Sequence, residues 1–230
     1  MSQAVQKMFK NVPPTYEFLN HMLTFGQDTH WRRKAASTIA AGGGTLWLDA
    51  CSGTGEMAAR LSHLAKDNTA IVVADFSLPM MRKAMEKPEV RHIAFTLSDI
   101  SRLPFRDDTF DAITISFGTR NISFSRNNLL NCLREFHRTL KPGGRFVNLE
   151  TSQPRYALIR RIFHAYVRLA IRPVGRLVSG SDAAYTYLSH SMRRFYGAEE
   201  LAEIIREAGF SEVKFDRMLF GAAAIHQAIK

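Results

Sequence analysis

The chain has 230 residues, 46% of them hydrophobic, so it can bury one sizeable core and we expect a single domain. Its 31 Lys and Arg against 21 Asp and Glu give a net charge of +10, which favours nucleic acid, anionic membranes or acidic molecules as partners without choosing among them. Two cysteines, Cys51 and Cys132, exclude a disulfide framework and a Cys-x-x-Cys metal site. Without an apolar secretory signal or a run of ~20 apolar residues, the chain is expected to be soluble and cytoplasmic.

Most of the chain alternates short β-branched runs with amphipathic helical stretches. After a helical cap at 1–44, a core at 45–150 holds strands predicted at 45–50, 70–75, 92–99, 110–117 and 144–150 and helices near 55–65, 78–86 and 126–139. A last helix at 198–210 and two strands follow within 197–230. This pattern predicts an α/β fold with a mostly parallel sheet and helices on both faces, which binds ligands outside the carboxyl ends of its strands.

A basic segment, residues 151–196, is inserted before the last helix. Between 155 and 194 it has eight arginines, no lysine and one acid, Asp182, so it carries a net +7 and most of the charge of the chain. Five apolar residues at helical spacing predict that its first helix is amphipathic; they are Ile159, Ile162, Phe163, Tyr166 and Ala170. We expect a lid with a basic, solvated side.

The stretch "LDACSGTGEMA" (48–58) follows the first predicted strand and contains a G-x-G-x-x-A turn at Gly53 and Gly55. Such a turn can hold the pyrophosphate of a dinucleotide on backbone N–H groups. Here Glu56 would lie beside that anion and Asp49 precedes the turn, which disfavours a dinucleotide. S-adenosylmethionine has no phosphate but carries an ammonium and a sulfonium, so acids around the loop favour it.

Acidic residues also end the next two strands. Asp75 can accept both hydroxyls of an adenosine ribose, a role that either cofactor would use, and Asp99 falls near the adenine edge. Each aspartate alone could be a capping residue, but three at successive strand ends indicate a cofactor site.

At this point the sequence resembles the class I methyltransferases and, within them, the ubiquinone/menaquinone biosynthesis C-methyltransferase family of the UbiE type. The matching segments span nearly the whole chain, and "FGTRN" together with "YTYL" is the most specific pair; the others are "YEFLNHMLTFG", "WRR", "LDACSGTGEMA", "ADFSLPMM", "LPFRDDTFDAITISFGTRN", "LKPGGR" and "GAAAIH". The sequence departs from the family at Asp28, where a histidine is usual, and around Pro13, Pro14 and Glu17. These departures concern the cap rather than the cofactor loop.

The resemblance implies a Rossmann-like, seven-stranded fold, S-adenosylmethionine as cofactor and no metal. The implied reaction is transfer of a methyl group to a ring carbon of a polyprenylated quinol, a demethylmenaquinol or a ubiquinol precursor. The expected cofactor-binding residues are Asp49, Gly53, Thr54, Gly55, Asp75, Phe76, Asp99, Ile100 and Ser116.

Carbon methylation requires an ionised ring hydroxyl, because a phenolate places electron density on the ring. Arg120 of "FGTRN" is expected to stabilise the phenolate or position a water, oriented by Asn121. Tyr185 and Tyr187 can stack on the ring or hydrogen-bond to it, and His226 could accept the phenol proton. Each of these three could instead be a packed structural residue.

A long isoprenoid tail partitions into the bilayer, so the basic segment could dock on anionic lipid from the cytoplasmic side. It could equally be a solvated face covering the core. An RNA methyltransferase would explain the charge, but "SFGTRN" is not the N-P-P-[YF] signature of such enzymes, and we expect no nucleic acid partner. Another hydrophobic aromatic acceptor, a non-catalytic assembly protein of quinone biosynthesis and a homodimer remain open.

Overall fold

A computed structural model of the chain describes residues 16–171 and 182–230. The N-terminal cap consists of α1 (Tyr16–Leu23) and α2 (Gln27–Gly42). The core follows as β1 (Leu46–Ala50), α3 (Glu56–Leu64), β2 (Ala70–Asp75), α4 (Leu78–Met85), β3 (Ala94–Leu97), β4 (Phe110–Ser116), the short α5 (Thr119–Ile122), α6 (Arg126–Thr139) and β5 (Leu140–Thr151). The basic segment holds α7 (Ala157–Tyr166), continued by a π-turn at Val167–Ile171, and α8 (Asp182–Arg194). The chain ends with α9 (Ala198–Glu207), β6 (Ser211–Met218) and β7 (Ala223–Ile229).

Within the described residues, seven strands form one sheet in the order β3-β2-β1-β4-β5-β7-β6. The first five are parallel, and β7 runs antiparallel to both β5 and β6. The predicted Rossmann-like α/β fold is therefore confirmed, including the mostly parallel sheet. The division of the chain into one domain with the segments named above stays a prediction.

Two of the predicted core strands differ from their predictions by more than one residue. Strand β5 begins at Leu140 rather than at 144, because the buried Leu140 already pairs with Phe110. A shift in the register of β5 against β4 then accommodates Pro142 and Gly143 within the strand. At the sheet edge, β3 pairs only with β2 and covers four residues rather than the eight predicted. Pro-Gly motifs are typical of turns, which explains why the sequence placed the start of β5 too late.

Helices cover both faces of the sheet. One core lies between the sheet and α6 and α9, where the rings of Phe136, Phe146 and Phe210 stack with centroids 5.0 to 5.7 Å apart. The other core lies between the sheet and α2 and α3, and it includes Trp31 and Leu61. Apolar residues at helical spacing thus seal each face from water.

The basic segment packs on the cap. The Tyr166 hydroxyl donates a hydrogen bond to the Leu23 carbonyl at 2.6 Å, and the Tyr166 ring lies 5.8 Å from that of Phe25. Phe163 and Tyr166 pack around the buried Val167, as the predicted apolar stripe requires, but Ile162 points outward and is 62% exposed. The stripe is therefore divided between an inner and an outer face, and Arg172 and Arg176 lie outside the described residues.

Replacement of Phe146 by alanine is expected to lower the free energy of unfolding by about 3–5 kcal/mol, because it removes a fully buried ring from the stack of three. Urea denaturation measures this loss. The control is Phe124→Ala, whose ring is 55% exposed and whose loss should change the free energy by under about 0.5 kcal/mol. Equal effects of the two substitutions would contradict the packing described here.

Candidate active site

A cavity of about 310 Å³ opens at the carboxyl ends of β1, β2 and β4, where parallel sheets of this kind bind ligands. The cofactor loop after β1 forms its floor, and the cap closes it from above. Its lining includes residues of both: Glu17, His21, Asp28, Thr29, Arg32, Cys51, Ser52, Gly53, Thr54, Glu56, Asp75, Phe76, Met80, Ser116, Phe117, Gly118 and Asn121.

The glycine loop has the geometry that the sequence motif predicts. Gly53 and Gly55 adopt left-handed φ angles of 59° and 80°, and α3 begins directly after them. A Cβ atom on Gly55 would lie 2.9 Å from the Cβ of Ala84, so a side chain there would collide with α4. Thr54, between the glycines, is buried and lines the cavity. The backbone of the loop therefore reaches the cavity unobstructed.

Asp75 ends β2 and fixes the loop. Its carboxylate accepts hydrogen bonds from the N–H of Gly53 at 2.9 Å and of Ser77 at 2.8 Å. Burial raises the pKa of Asp75, and these backbone bonds oppose the rise. Each carboxylate oxygen has a second lone pair, so both can still accept a bond from a ligand hydroxyl.

Asp49 lies one strand away and is fully buried beneath the loop. Its Oδ2 accepts the Ser52 hydroxyl at 2.5 Å, whereas its Oδ1 has no hydrogen-bond partner among the described residues. Burial raises the pKa of Asp49 to about 7, the Ser52 bond and the charge of Arg32 oppose this, and Asp75 adds to it. An incompletely paired buried carboxylate is costly unless a cation compensates it.

Arg32 of the cap supplies a cation that the sequence motifs did not indicate. Its Nη1 donates to the Ser116 hydroxyl at 2.8 Å, and its guanidinium carbon lies 4.8 Å from the centre of the Phe117 ring. Asp28, one turn earlier on α2, holds its Nε at 3.9 Å. In the sequence, "WRR" and the departure at Asp28 marked this part of the cap but not its contact with the site. That contact joins α2 to the end of β4 across 84 positions of sequence.

The charge of Glu56 is compensated by neighbouring cations. Lys87 bonds to both Glu56 and Glu17, and Arg60 lies 3.4 Å from Glu56. Burial would raise the pKa of Glu56, but the hydrogen bond and charge of Lys87 outweigh it and the pKa lies below its ordinary value. Glu56 is therefore a weaker obstacle to an anionic ligand than the sequence indicated.

The remaining predicted cofactor residues differ in their placement. Phe76 and Ser116 line the cavity. Asp99 and Ile100 do not: the Asp99 carboxylate accepts bonds from the backbone and hydroxyl of Ser101, and the Ile100 side chain is fully buried in the core. A contact of Ile100 with a ligand would have to use its backbone.

Arg120 and Asn121 follow β4 on α5. Asn121 is 9% exposed and lines the cavity, whereas Arg120, 8% exposed, does not belong to the lining. The Nη1 of Arg120 donates to the Thr151 hydroxyl at 3.2 Å and lies 3.5 Å from Oε1 of Glu150. No sequence motif indicated Glu150, because its contact with Arg120 depends on the pairing of β4 with β5.

The two tyrosines lie on α8 of the basic segment. Burial raises the pKa of Tyr187, the positive charge of Arg120 opposes this and Glu150 adds to it, so Tyr187 lies within electrostatic reach of that pair. Tyr185 belongs to the same helix, but its side chain lies outside the described residues.

The structure places His226 away from the cavity. It lies on β7, is 1% exposed, and its Nε2 bonds to the Ala198 carbonyl at 2.9 Å. Burial lowers the pKa of His226 to about 4, and the bond to Ala198 opposes the decrease. This is the environment of a packed, neutral histidine, so His226 has no part in the mechanism developed below.

Comparison with known proteins agrees with this geometry. The model of the ubiE/COQ5 methyltransferase family matches residues 1–230. A demethylmenaquinone methyltransferase of Streptomyces avermitilis is 38% identical over 98% of this chain and 94% of its own length, and the ubiquinone/menaquinone biosynthesis C-methyltransferase UbiE of Desulfotalea psychrophila is 35% identical over 98% and 90%.

In fold, the chain is similar to a SAM-dependent methyltransferase of Thermotoga maritima, with a TM-score of 0.63, 17% identity and coverage of 98% of this chain and 99% of that one. The protein is thus a methyltransferase, and its cofactor is S-adenosylmethionine. The match of the family model over its whole length, with relatives at this level of identity, shows that the chain belongs to the ubiE/COQ5 methyltransferase family.

Proposed function

We propose that the chain methylates a ring carbon of a polyprenylated quinol, using S-adenosylmethionine bound in the cavity. The observation that carries this proposal is a cavity lined by the glycine loop and by Asn121, the residue that follows the buried Arg120 on α5. The names of the relatives support a demethylmenaquinol or a ubiquinol precursor as acceptor. A naphthoquinol and a benzoquinol present the same phenol chemistry to Arg120.

The residues in and directly beneath the cavity fit the cofactor. Oδ1 of Asp49, under the glycine loop, has no hydrogen-bond partner among the described residues and is suited to an ammonium, and Arg32 in the lining is a buried cation suited to a carboxylate. These are the two charged groups of an amino-acid end. Asp75 has lone pairs left for ribose hydroxyls, and Phe76 and Met80 offer apolar surface for a base. Asp99 and the backbone of Ile100 complete the proposed cofactor set at its adenine end.

When bound, S-adenosylmethionine supplies an electrophilic methyl group on its sulfonium. The chain must then hold the acceptor ring with its carbon in line, keep the ring hydroxyl ionised and exclude water. The guanidinium of Arg120 keeps its charge at neutral pH and stabilises the phenolate. Asn121, which lines the cavity, orients the ring oxygen, and the proposed role of Tyr185 and Tyr187 is to stack on the ring or hydrogen-bond to it.

We also propose that the enzyme works at the surface of an anionic membrane. On α7 and its continuation, Leu158, Ile162 and Leu169 recur on one face and are 69%, 62% and 67% exposed. Arg161 and Arg168 are exposed beside them. An apolar stripe flanked by arginines is typical of helices that lie in the headgroup region, where each cation contributes ~1 kcal/mol.

None of the helices in the described ranges, 16–171 and 182–230, is long and apolar enough to cross a membrane. Location in the cytoplasm, a homodimer and the lack of a nucleic acid partner stay predictions.

The first test is an assay with methyl-labelled S-adenosylmethionine and chemically reduced short-tail analogues of demethylmenaquinol and of a ubiquinol precursor. Label is expected in the ring of at least one analogue. Arg120→Met is expected to lower kcat by ~10²–10³-fold, a loss typical of a missing oxyanion-stabilising group, while cofactor binding by calorimetry is unchanged. Labelling of neither ring by protein that binds the cofactor would refute the proposed acceptor and favour another lipophilic acceptor or an assembly role.

Asp49→Asn is expected to weaken S-adenosylmethionine binding by ~10–100-fold, since a charge-assisted bond to the ammonium is lost. Binding of methylthioadenosine, which lacks the amino-acid end, should not change in calorimetry. Because only the ionised carboxylate suits the ammonium, the affinity of the unaltered enzyme should fall ~10-fold per pH unit below 7. Arg32→Met tests the contact with the cofactor carboxylate in the same way: it should weaken binding of S-adenosylmethionine but not of methylthioadenosine.

Asp49→Asn, which weakens cofactor binding, is expected to stabilise the free enzyme at pH 8. The pKa of Asp49 is raised on folding, so its contribution to stability is present below the unfolded value of 3.8 and is lost as pH rises through about 7. Asp49→Asn should therefore melt at a higher temperature than the unaltered protein at pH 8, and the difference should vanish near pH 4. A lower melting temperature at pH 8 would contradict the assigned environment.

The double substitution Leu158→Ser and Ile162→Ser is expected to abolish flotation with vesicles of phosphatidylcholine mixed with phosphatidylglycerol. Vesicles of phosphatidylcholine alone should bind the unaltered enzyme weakly, because they do not attract the arginines. Leu97→Ser, at an exposed leucine of β3, is the control and should float normally. Normal flotation of the double variant would show that this face does not contact lipid.

A further inference from the structure

Two alternate residues of β5 hold the turn that carries Arg120. Asn148 and Glu150 lie on the same face of the strand, and their side chains bond to consecutive residues at the start of α5. The Thr119 hydroxyl bonds to Oδ1 of Asn148, and the backbone N–H of Arg120 donates to Oε2 of Glu150 at 3.0 Å. The position of Arg120 relative to the sheet is therefore fixed at its own backbone N–H and at the side chain of the residue before it.

Glu150 also contacts the guanidinium. Its Oε1 accepts the N–H of Thr151 at 2.8 Å and the Thr151 hydroxyl at 2.9 Å, and it lies 3.5 Å from Nη1 of Arg120. Thr151 in turn accepts Nη1 of Arg120 at 3.2 Å. One carboxylate thus restrains both ends of the arginine, directly and through a hydroxyl.

A backbone clamp alone does not require a charge. A glutamine could accept the same N–H, and a carboxylate that is 1% exposed carries a desolvation cost that an amide avoids. The charge is balanced by Arg120, which is itself 8% exposed and whose Nε has no hydrogen-bond partner among the described residues. Tyr187 on α8 is electrostatically coupled to both members of the pair.

We propose that Glu150 is the positioning residue of the methyl transfer, which holds the Arg120 guanidinium towards the quinol oxygen and sets the net charge that this oxygen experiences. The inference rests on the function proposed above for Arg120. Glu150 does not belong to the cavity lining, and its carboxylate bonds to Arg120 and Thr151, so it acts through the arginine.

Glu150→Gln is expected to lower kcat by ~10²-fold through misplacement of the guanidinium, while the KM for S-adenosylmethionine is unchanged. The site would also become more positive, which favours the ionised quinol, so the acid limb of the kcat profile should move to lower pH. Glu150→Asp keeps the charge but shortens the side chain. It should lower kcat without moving the pH profile, and a merely structural glutamate would produce no such difference between the two variants.

A double-mutant cycle keeps the test decisive if Glu150→Gln alone fails to fold, because Arg120→Met with Glu150→Gln removes both buried charges together. In the Arg120→Met background, Glu150→Gln should have no further effect on kcat. An additional loss there would overturn the positioning role. Full activity of Arg120→Met alone would instead overturn the proposed function of the arginine, so the two failures are distinguishable.

A matched control is Glu199→Gln, which removes a carboxylate that pairs with Arg217 at the protein surface. It should leave kcat and the pH profile unchanged. Equal shifts of the pH profile in both glutamate variants would show a general charge effect and overturn the assignment to Glu150.

Discussion

The position of β1 between β2 and β4 is the constraint on which the rest of the structure depends. From β1 the chain continues to β2 and β3 on one side, and it then crosses back to β4 on the other side. The loops that follow β1 and β4 therefore diverge and leave a crevice between them. Asp75 and Ser116 reach that crevice because each ends one of these strands, and Asp49, the residue before the end of β1, lies buried beneath it. Parallel pairing thus brings together residues that are far apart along the chain and that carry complementary polar groups.

The same constraint explains the electrostatic character of the site. Strand ends packed under helices are dry, and two of the carboxylates there are buried with incomplete compensation. The protein places one guanidinium, from Arg32, against them and couples it to a hydroxyl and to an aromatic face. Such a site is destabilised when empty and is matched to a ligand that carries both a cation and an anion, which is a form of preorganisation.

Much of the fold was accessible from the sequence because its signals are local. Apolar periodicity, Gly209 after the last helix and the spacing of the glycine loop all act within a few residues, and α6 coincides with its predicted span of 126–139. The start of β5 was missed because a Pro-Gly pair that normally marks a turn is accommodated here by a shift in register.

The site was less predictable where it depends on tertiary contacts. Asp75 and Thr54 each belong to a short contiguous motif, whereas Arg32 and Glu150 act through partners on other elements. Glu56 shows the opposite error: read alone it is an acid beside the loop, but Lys87, which is distant in sequence, compensates it. His226 has the right chemistry for a proton acceptor and the wrong surroundings, which only the pairing of β7 with β5 and β6 reveals.

The hydrogen bond from Tyr166 to Leu23 affects how a bulky molecule can pass between the cap and the basic segment. It joins the cap, which lines the cavity through residues such as Asp28 and Arg32, to the basic segment, so the two move together unless that bond breaks. Passage of a lipophilic product between them then requires a collective helix motion, on a scale of ~microseconds to milliseconds, rather than the faster rotation of a single side chain. Exit of the product would therefore coincide with a displacement of α7 and of its apolar stripe.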